Sequence, residues 1–560
     1  MLKIDMKNVK KYYADKLILN IKELKIYSGD KIGIVGKNGV GKTTLLKIIK
    51  GLIEIDEGNI IISEKTTIKY ISQLEEPHSK IIDGKYASIF QVENKWNDNM
   101  SGGEKTRFKL AEGFQDQCSL MLVDEPTSNL DIEGIELITN TFKEYRDTFL
   151  VVSHDRIFLD QVCTKIFEIE NGYIREFIGN YTNYIEQKEM LLRKQQEEYE
   201  KYNSKRKQLE QAIKLKENKA QGMIKPPSKT MGTSESRIWK MQHATKQKKM
   251  HRNTKSLETR IDKLNHVEKI KELPSIKMDL PNREQFHGRN VISLKNLSIK
   301  FNNQFLWRDA SFVIKGGEKV AIIGNNGVGK TTLLKLILEK VESVIISPSV
   351  KIGYVSQNLD VLQSHKSILE NVMSTSIQDE TIARIVLARL HFYRNDVHKE
   401  INVLSGGEQI KVAFAKLFVS DCNTLILDEP TNYLDIDAVE ALEELLITYE
   451  GVVLFASHDK KFIQNLAEQL LIIENNKVKK FEGTYIEYLK IKDKPKLNTN
   501  EKELKEKKMI LEMQISSLLS KISMEENEEK NKELDEKYKL KLKELKSLNK
   551  NIMKYGPDPN

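Results

Sequence analysis

The chain has 560 residues, of which 39% are hydrophobic and 31% charged, and its formal net charge is +9. This length is enough for at least two hydrophobic cores, and the lack of any run of about 18 apolar residues excludes a membrane-spanning sequence. Cys118, Cys163 and Cys422 match no disulfide or metal-ligand spacing. With no N-terminal signal pattern, they predict a reduced, cytoplasmic protein.

The positive charge is concentrated in one part of the chain. Residues 191–270 contain 21 Lys and Arg against 9 Asp and Glu, so the rest of the chain is slightly acidic. A basic patch confined to one segment predicts a polyanionic partner, whereas a solvated pair of charged helices is expected to be near neutral.

In chain order, the first predicted elements are an apolar strand, a glycine-rich loop and a helix. The loop at 36–43 fits G-x-x-x-x-G-K-[ST], whose glycines let backbone N–H groups wrap phosphates while the lysine neutralises the β and γ oxygens. The stretch MSGGE (100–104) and the buried strand MLVDE follow. This alternation predicts an α/β domain with a largely parallel sheet over residues 1–183.

Residues 184–282 are predicted to form a helical hairpin that links this domain to the next. Leu257, Ile261 and Leu264 recur at i, i+4 and i+7, as expected for helices packed along a narrow seam. The tip lies near 220–241, where two adjacent prolines and a glycine interrupt the helical sequence.

The motifs of the first domain then return in the same order. GNNGVGKT at 324–331, LSGGE at 404–408 and the strand LILDE repeat their counterparts, so residues 283–490 form a duplicated domain. The second copy has 20 more residues between YVSQ and SGGE than the first copy has between YISQ and SGGE. A charged helical extension is predicted over residues 491–560.

Each copy presents the same polar side chains after its strands. An aspartate is predicted to hold Mg²⁺ with the threonine of the loop, the next glutamate to polarise the attacking water, a histidine to contact the γ-phosphate, and a glutamine to sense Mg²⁺ and the water. These are Asp124, Thr43, Glu125, His154 and Gln73 in the first copy, and Asp428, Thr331, Glu429, His458 and Gln357 in the second. The glutamates and histidines are the predicted catalytic residues.

The SGGE stretches resemble the signature of ABC ATPases, in which the signature of one domain completes the nucleotide site of the other. The resemblance implies that the site of Lys42 faces Ser405 and Gly407, that the site of Lys330 faces Ser101 and Gly103, and that each site binds ATP with Mg²⁺. It places adenine-stacking aromatics at Tyr12, for which Tyr13 would serve as well, and at Phe301. The other residues implied to contact nucleotide are Gly36, Asn38, Gly39, Gly41, Thr44, Gly102, Gly324, Asn326, Gly327, Gly329, Thr332 and Gly406.

Tandem ABC domains joined by a basic helical hairpin resemble the ABC-F family of ribosome-associated ATPases over residues 1–490. Within it the chain is similar to the Vga/Lsa-type antibiotic-resistance members, because only 27 residues separate Gln73 from Ser101, too few for the arm that housekeeping factors carry there. The implied fold class is α/β, with two tandem P-loop ATPase domains, a long α-helical hairpin linker and a coiled-coil-like C-terminal extension.

The resemblance also implies a function. ATP binding would close the two domains and insert the linker into a bacterial ribosome, against large-subunit rRNA and P-site tRNA, where it protects against antibiotics of the peptidyl-transferase centre such as lincosamides, streptogramin A and pleuromutilins. Hydrolysis would release the protein, and no obligate protein partner is evident. The linker residues predicted to bind RNA are Lys225, Lys229, Arg237, Trp239, Lys240, Lys246, Lys248 and Lys249; Trp239 would equally serve to pack the end of the hairpin.

Two alternatives stay open at this point. A housekeeping ABC-F translation factor would act on ribosomes without any drug, and the ATPase subunit of a membrane exporter would have no use for a basic hairpin. DNA-repair and iron–sulfur ribosome-recycling ATPases are disfavoured because the cysteine clusters that they need are missing from the sequence.

Overall fold

A computed structural model describes residues 1–116, 118–222, 248–249, 252–264, 288–301, 304–355, 361–492, 499–524 and 528–554. The chain divides into two compact units, Met1–Thr484 and Tyr485–Asn560. The first unit contains both copies of the duplicated domain. The second contains the C-terminal helices. The domain limits proposed from the sequence stay predictions.

The first domain alternates strands and helices as its motifs predict. Its strands are β1 Leu2–Tyr13, β2 Lys16–Tyr27, β3 Lys31–Val35, β4 Glu57–Ile62, β5 Ile68–Ile71, β6 Leu120–Asp124, β7 Thr148–Val152, β8 Lys165–Glu170 and β9 Tyr173–Ile178. Its helices are α1 Lys42–Lys50, α2 Gly84–Ile89, α3 Gly102–Gln115, α4 Ile132–Glu144 and α5 Arg156–Val162, and the linker begins with α6, Tyr181–Gly222. Residues 252–262 are also helical.

The second domain repeats this order. Its strands are β10 Asn290–Phe301, β11 Gln304–Lys315, β12 Lys319–Ile323, β13 Val344–Ile346, β14 Ile352–Val355, β15 Thr424–Asp428, β16 Val452–Ala456, β17 Gln469–Glu474 and β18 Lys477–Phe481. Its helices are α7 Lys330–Glu339, α8 Ile368–Met373, α9 Glu380–Arg389, α10 Gly406–Val419, α11 Ile436–Thr448 and α12 Lys460–Leu466, with 3₁₀ turns at Arg394–His398 and Ile401–Val403. The 20 additional residues of this copy therefore lie in the region that forms α8, α9 and the two 3₁₀ turns.

The C-terminal unit is helical in its described part. It contains α13 Tyr485–Lys492, α14 Thr499–Met524 and α15 Glu528–Lys554. Helices α14 and α15 pack against each other, as expected for the coiled-coil-like extension.

Each domain is built on a six-stranded, mostly parallel sheet. The strand order is β5-β6-β7-β3-β8-β9 in the first domain and β14-β15-β16-β12-β17-β18 in the second, and only the last pair of each sheet is antiparallel. A three-stranded antiparallel sheet, β2-β1-β4 or β11-β10-β13, completes each domain. The central strands are continuously apolar and buried on both faces, which is what a parallel sheet covered by helices requires. The predicted fold class is confirmed.

The carboxyl ends of the central strands are where the functional loops gather. Strand β3 leads into the glycine loop. The next two strands across the sheet are β7, which ends just before the predicted histidine, and β6, which ends at the predicted aspartate. Because parallel strands share one carboxyl edge, residues far apart in sequence meet there. The same arrangement recurs at β12, β15 and β16.

Candidate ATP sites

The glycine loops have the backbone geometry that phosphate binding needs. Gly36, Gly39 and Gly41 have φ values of 148°, 75° and 108°, a region that favours glycine. In the second domain a Cβ on Gly329 would lie 2.1 Å from the ring of the buried Trp307. Backbone conformation therefore favours glycine at these three positions, and close packing against Trp307 excludes a side chain at Gly329.

The lysine of each loop folds back over the loop. Nζ of Lys42 donates to the carbonyl oxygens of Gly36 at 2.6 Å and of Lys37 at 3.2 Å, and Lys330 makes the equivalent bonds to Gly324 at 2.8 Å and Asn325 at 3.1 Å. Burial lowers the pKa of both lysines. The ammonium groups lie in the loops that would surround the phosphates, in the position that the motif predicts.

A hydroxyl and a carboxylate meet beside each loop. Oγ1 of Thr43 donates to Oδ2 of Asp124 at 2.8 Å. Burial raises the pKa of Asp124, and the hydrogen bond from Thr43 opposes that rise. Thr331 and Asp428 are related in the same way. Hydroxyl and carboxylate oxygens are the ligands that Mg²⁺ prefers, so the donor set fits that ion.

The predicted catalytic glutamates lie next to these aspartates in a strained conformation. Glu125 and Glu429 have φ values of 53° and 48°, which non-glycine residues adopt rarely and which often marks a functional position. Burial raises the pKa of each to about 8, although the charge of the nearby lysine opposes the rise. Oε1 of each glutamate has no hydrogen-bond partner among the described residues.

A histidine completes the group. Nε2 of His154 lies 3.4 Å from Nζ of Lys42 and 3.4 Å from Oε1 of Glu125; Nε2 of His458 lies 2.8 Å from Nζ of Lys330. Burial, and then the charge of the lysine, lower the pKa of both histidines to about 3. The imidazoles are therefore neutral at physiological pH, and Nε2 of His458 accepts a hydrogen bond from the ammonium group.

The two domains contact each other at these sites. Asn38, in the first glycine loop, donates from its backbone N–H to Oδ2 of Asp435 at 3.0 Å and from Nδ2 to the carbonyl of Tyr433 at 3.1 Å. A Cβ on Gly407, in the second signature, would lie 3.5 Å from Nδ2 of Asn38. The loop of one domain thus lies against the signature of the other.

The second half of the interface repeats this pattern. Asn326 donates from its backbone N–H to Oδ2 of Asp131 at 3.1 Å and from Nδ2 to the carbonyl of Asn129 at 3.2 Å. Asn325 adds a hydrogen bond to Glu133 at 2.9 Å. Both sites are therefore composite, each built from the glycine loop of one domain and the signature side of the other.

The signatures begin helices, as the sequence predicts. Ser101 and Ser405 are the N-caps of α3 and α10, and each forms a capping box with the glutamate three residues later. The glycine pair occupies the first turn of each helix. Backbone N–H groups at such a helix start favour anions.

Sequence reasoning missed part of the interface. Asp131 and Asp435 were not selected, although each ends the DEPTSNLD or DEPTNYLD motif and recurs at the same offset as the signature. Both cap the following helix, α4 or α11, through one carboxylate oxygen and bind the opposite loop through the other. The repeat of this aspartate was the signal that could have identified it.

Several residues that the sequence predicts to contact nucleotide or Mg²⁺ do not join the side chains described above. Tyr12 is half-buried at the end of β1, where its N–H donates to Asp56 at 2.6 Å, and its role in stacking stays a prediction. Gln73 is exposed, and its described contact is a carbonyl that accepts from Lys109. Gln357 and the side chain of Phe301 lie outside the described residues.

Comparison with known proteins agrees with this geometry. The family model for ABC transporters matches residues 19–98 and 307–432, and a second model with the same description matches residues 167–278. The "Erythromycin resistance ATP-binding protein MsrA" of Staphylococcus epidermidis is 35% identical over 81% of this chain and 94% of its own length. The "Ribosome protection protein VmlR" of Bacillus subtilis is 32% identical over 97% of this chain and 98% of its own length.

The chain belongs to the ABC-F family of ATPases. As an ABC-F protein it is an ATP hydrolase with two ATP-binding domains. A solved structure described as "RNase-L Inhibitor" has the same fold, with a TM-score of 0.56 at 19% identity over 86% of this chain and 90% of that one. Among the described residues, none of the helices of this ABC-F protein combines the length and apolarity that a membrane span requires.

Proposed function

We propose that this protein is a ribosome-binding ATPase of the cytoplasm that protects bacterial ribosomes from antibiotics of the peptidyl-transferase centre. In this proposal the ATP-bound form inserts its linker near P-site tRNA and large-subunit rRNA, and hydrolysis lets it leave. The observation that carries the proposal is the pair of composite sites, in which Asn38 and Asn326 each bind the opposite domain. ATP bound at such sites contacts both domains and so favours the closed arrangement.

The chemistry proposed at each site follows from the described side chains. Mg²⁺, held by Thr43 and Asp124 in one site, would neutralise charge on the phosphates. Lys42 exchanges its bonds with loop carbonyls for phosphate oxygens. Glu125 orients and polarises the attacking water, and the neutral His154 holds the γ-phosphate beside it. The second site repeats these roles with the residues of its own loop and strands.

The linker supplies the proposed contact with RNA. Helix α6 has 42 residues, which corresponds to about 60 Å at a rise of 1.5 Å per residue. Of the RNA-binding residues predicted from sequence, Lys248 and Lys249 are described and exposed; Lys225, Lys229, Arg237, Trp239, Lys240 and Lys246 lie outside the described residues, as does most of the tip. Residues 191–270 contain 21 basic and 9 acidic residues, and this excess of positive charge supports binding to a polyanion.

Two further observations favour a resistance role over a housekeeping one. The first domain contains only the short helix α2 between β5 and α3, which leaves no room for an inserted arm. The relatives named for erythromycin resistance and ribosome protection match nearly their whole lengths. Erythromycin therefore belongs in the drug panel, together with a lincosamide, streptogramin A and a pleuromutilin.

Expression in a susceptible bacterium tests the proposal. The protein should raise the inhibitory concentration of at least one drug of the panel, and Glu125→Gln with Glu429→Gln should abolish this protection while the protein co-sediments with ribosomes in ATP. Replacing Lys246, Lys248 and Lys249 by glutamine should weaken ribosome binding. The matched control replaces the exposed Lys16, Lys22 and Lys65 of the first domain in the same way.

Other outcomes of these experiments would indicate a different function or contradict the mechanism. Ribosome binding without any change in susceptibility would indicate a housekeeping translation factor. Fractionation with membranes rather than ribosomes would indicate the ATPase subunit of an exporter. Failure of the double glutamine variant to bind ribosomes in ATP contradicts the coupling of closure to ribosome binding.

A further inference from the structure

A buried ion pair joins the two ATPase domains on one side of their interface. Arg156, the first residue of α5 in the first domain, donates through Nη1 to Oε2 of Glu443 at 3.2 Å and through Nη2 to Oε1 of the same carboxylate. Glu443 lies on α11 of the second domain. Arg156 is 6% exposed and Glu443 is 5% exposed, so the pair is bidentate and shielded from water.

Other groups reinforce this pair. Asn465, on α12, donates to Oε2 of Glu443 at 2.9 Å and fixes the carboxylate. Glu440 and Asp459 of the second domain each lie 3.7 Å from the guanidinium of Arg156. Burial by itself lowers the pKa of Arg156, but the bond to Glu443 and these acidic neighbours outweigh it and raise that pKa. The guanidinium is therefore held by carboxylates that all belong to the opposite domain.

Among the described residues, the other side of the interface has no equivalent buried pair. Lys460 occupies the position of Arg156 in the second domain and pairs with Glu136 on α4; the side chain of Lys460 is 15% exposed and that of Glu136 is 58% exposed. Thr139 occupies the position of Glu443, and its hydroxyl donates to the carbonyl of Ile135 within its own helix at 2.6 Å. Exposed pairs contribute little, whereas a buried pair repays its desolvation cost when its geometry is bidentate and further hydrogen bonds fix it, as Asn465 does here.

The buried pair lies close to one of the two ATP sites. Arg156 follows His154 by two residues, and Glu443 lies on the helix that begins after Asp435, which binds Asn38. The pair therefore lies on the side of the interface that contains the site of Lys42. The partly exposed pair of Lys460 and Glu136 stands in the same relation to the site of Lys330.

Helix α5 also holds the start of the linker. Oδ1 of Asp160, on α5, accepts a hydrogen bond from the N–H of Thr182 at 2.7 Å, and α5 packs against α6. Tyr181 and Tyr184 in the first turn of α6 share a hydrophobic cluster with Ile436, the first residue of α11. Helix α5 therefore joins the ion pair to the linker base, and α11 shares the hydrophobic cluster that contains that base.

We propose that Arg156 and Glu443 form a one-sided inter-domain lock that keeps the ATP site of Lys42 closed longer than the site of Lys330 and ties its closure to the first linker helix. The residues of the lock are positioning residues, since they touch neither site directly. The coupling to the linker rests on the function proposed above. The difference in closure between the two ATP sites does not, because it is measured by ATP binding alone.

Retention of ATP by the isolated protein tests the lock without ribosomes. Labelled ATP is loaded into the Glu125→Gln protein, which traps it at the site of Lys42, or into the Glu429→Gln protein, which traps it at the site of Lys330, and its release is followed during a chase with unlabelled ATP. We expect the first protein to retain ATP at least about tenfold longer. Arg156→Met with Glu443→Gln, which leaves neither partner charged, should remove that difference. Arg156→Lys alone, which keeps both charges, should retain part of the difference.

The control is the counterpart pair. Lys460→Met with Glu136→Gln should change retention at either site by less than about twofold, because the carboxylate of that pair is exposed and screened by water. Hydrogen exchange of residues 178–190 provides the linker readout: ATP should protect this segment in the Glu125→Gln protein, and the lock variant should lose that protection. Equal retention at the two sites, or an equal loss at both in the lock variant, overturns the proposal, because a general loss of stability affects both sites alike.

Discussion

Replacing Glu125 by glutamine should make the nucleotide-free protein more stable. The carboxylate of Glu125 is buried beside Asp124, its Oε1 has no hydrogen-bond partner among the described residues, and burial raises its pKa from 4.5 to about 8. The pKa of Glu125 in the folded protein lies above its pKa in the unfolded chain. At a pH between these two values, the folded protein keeps a proton on Glu125 that the unfolded chain releases. Stability from this proton is fully present below pH 4.5 and is lost as the pH rises to about 8.

The size of the effect follows from the pKa shift. One unit corresponds to about 1.4 kcal/mol, so at pH 7 the ionisable carboxyl group costs up to about 3 kcal/mol relative to a side chain that stays neutral. Glutamine has nearly the same volume and carries no charge. Its advantage should be close to zero near pH 4.5 and should grow until about pH 8.

Thermal unfolding of the nucleotide-free protein at several pH values measures this dependence. The Glu125→Gln protein should unfold at a midpoint several degrees higher near neutral pH, and the difference should widen from acidic to alkaline buffer. The exposed Glu54→Gln is the control and should show no such trend. A gain that is absent at alkaline pH, or that is equal at all pH values, would refute burial as the cause of the shift.

Three further predictions concern contacts at the interface and the linker base. Asp435→Ala removes a helix cap, the bond to Asn38 and the ion pair with the buried Lys411; it should cost about 3 kcal/mol in urea unfolding and weaken ATP binding at the site of Lys42 alone. Gly407→Ala places a Cβ 2.5 Å from a backbone carbonyl of its own domain; it should raise the ATP concentration that half-saturates hydrolysis without unfolding the protein. Tyr184→Phe removes the hydroxyl that donates to the buried Glu168 at 2.7 Å and should lower stability by about 1 kcal/mol in urea unfolding.

Most residues of the ATP sites could be predicted because the groups that bind phosphate and Mg²⁺ lie in short sequence motifs. The loop at Gly36–Thr43 combines glycines, a lysine and a hydroxyl within eight residues, and the structure gives the glycines Gly36, Gly39 and Gly41 the positive φ angles that such a loop needs. The pairing of Thr43 with Asp124 follows from two strands that share a carboxyl edge. The resemblance to ABC-F proteins, carried by repeated motifs, is confirmed by the relatives.

Contacts between the domains were harder to predict. Asp435 looked like the end of a motif, and nothing in its local sequence says that Asn38, nearly 400 residues away, is its partner. Arg156 and Glu443 form no local pattern at all, since an arginine after a histidine and a glutamate in an amphipathic helix are both common on surfaces. Long-range partners of this kind depend on how two folded surfaces meet.

The amino-acid sequence by itself determined the duplicated α/β domains, the two phosphate-binding loops, their acidic and histidine partners and the basic linker, because each is encoded by residues within one turn, loop or strand. Only the tertiary structure decided that the two halves of the interface differ, with a buried Arg156–Glu443 pair on one side and a partly exposed Lys460–Glu136 pair on the other. The physical reason is burial: the strength of an ion pair depends on its surroundings, and those are created only when the domains pack together.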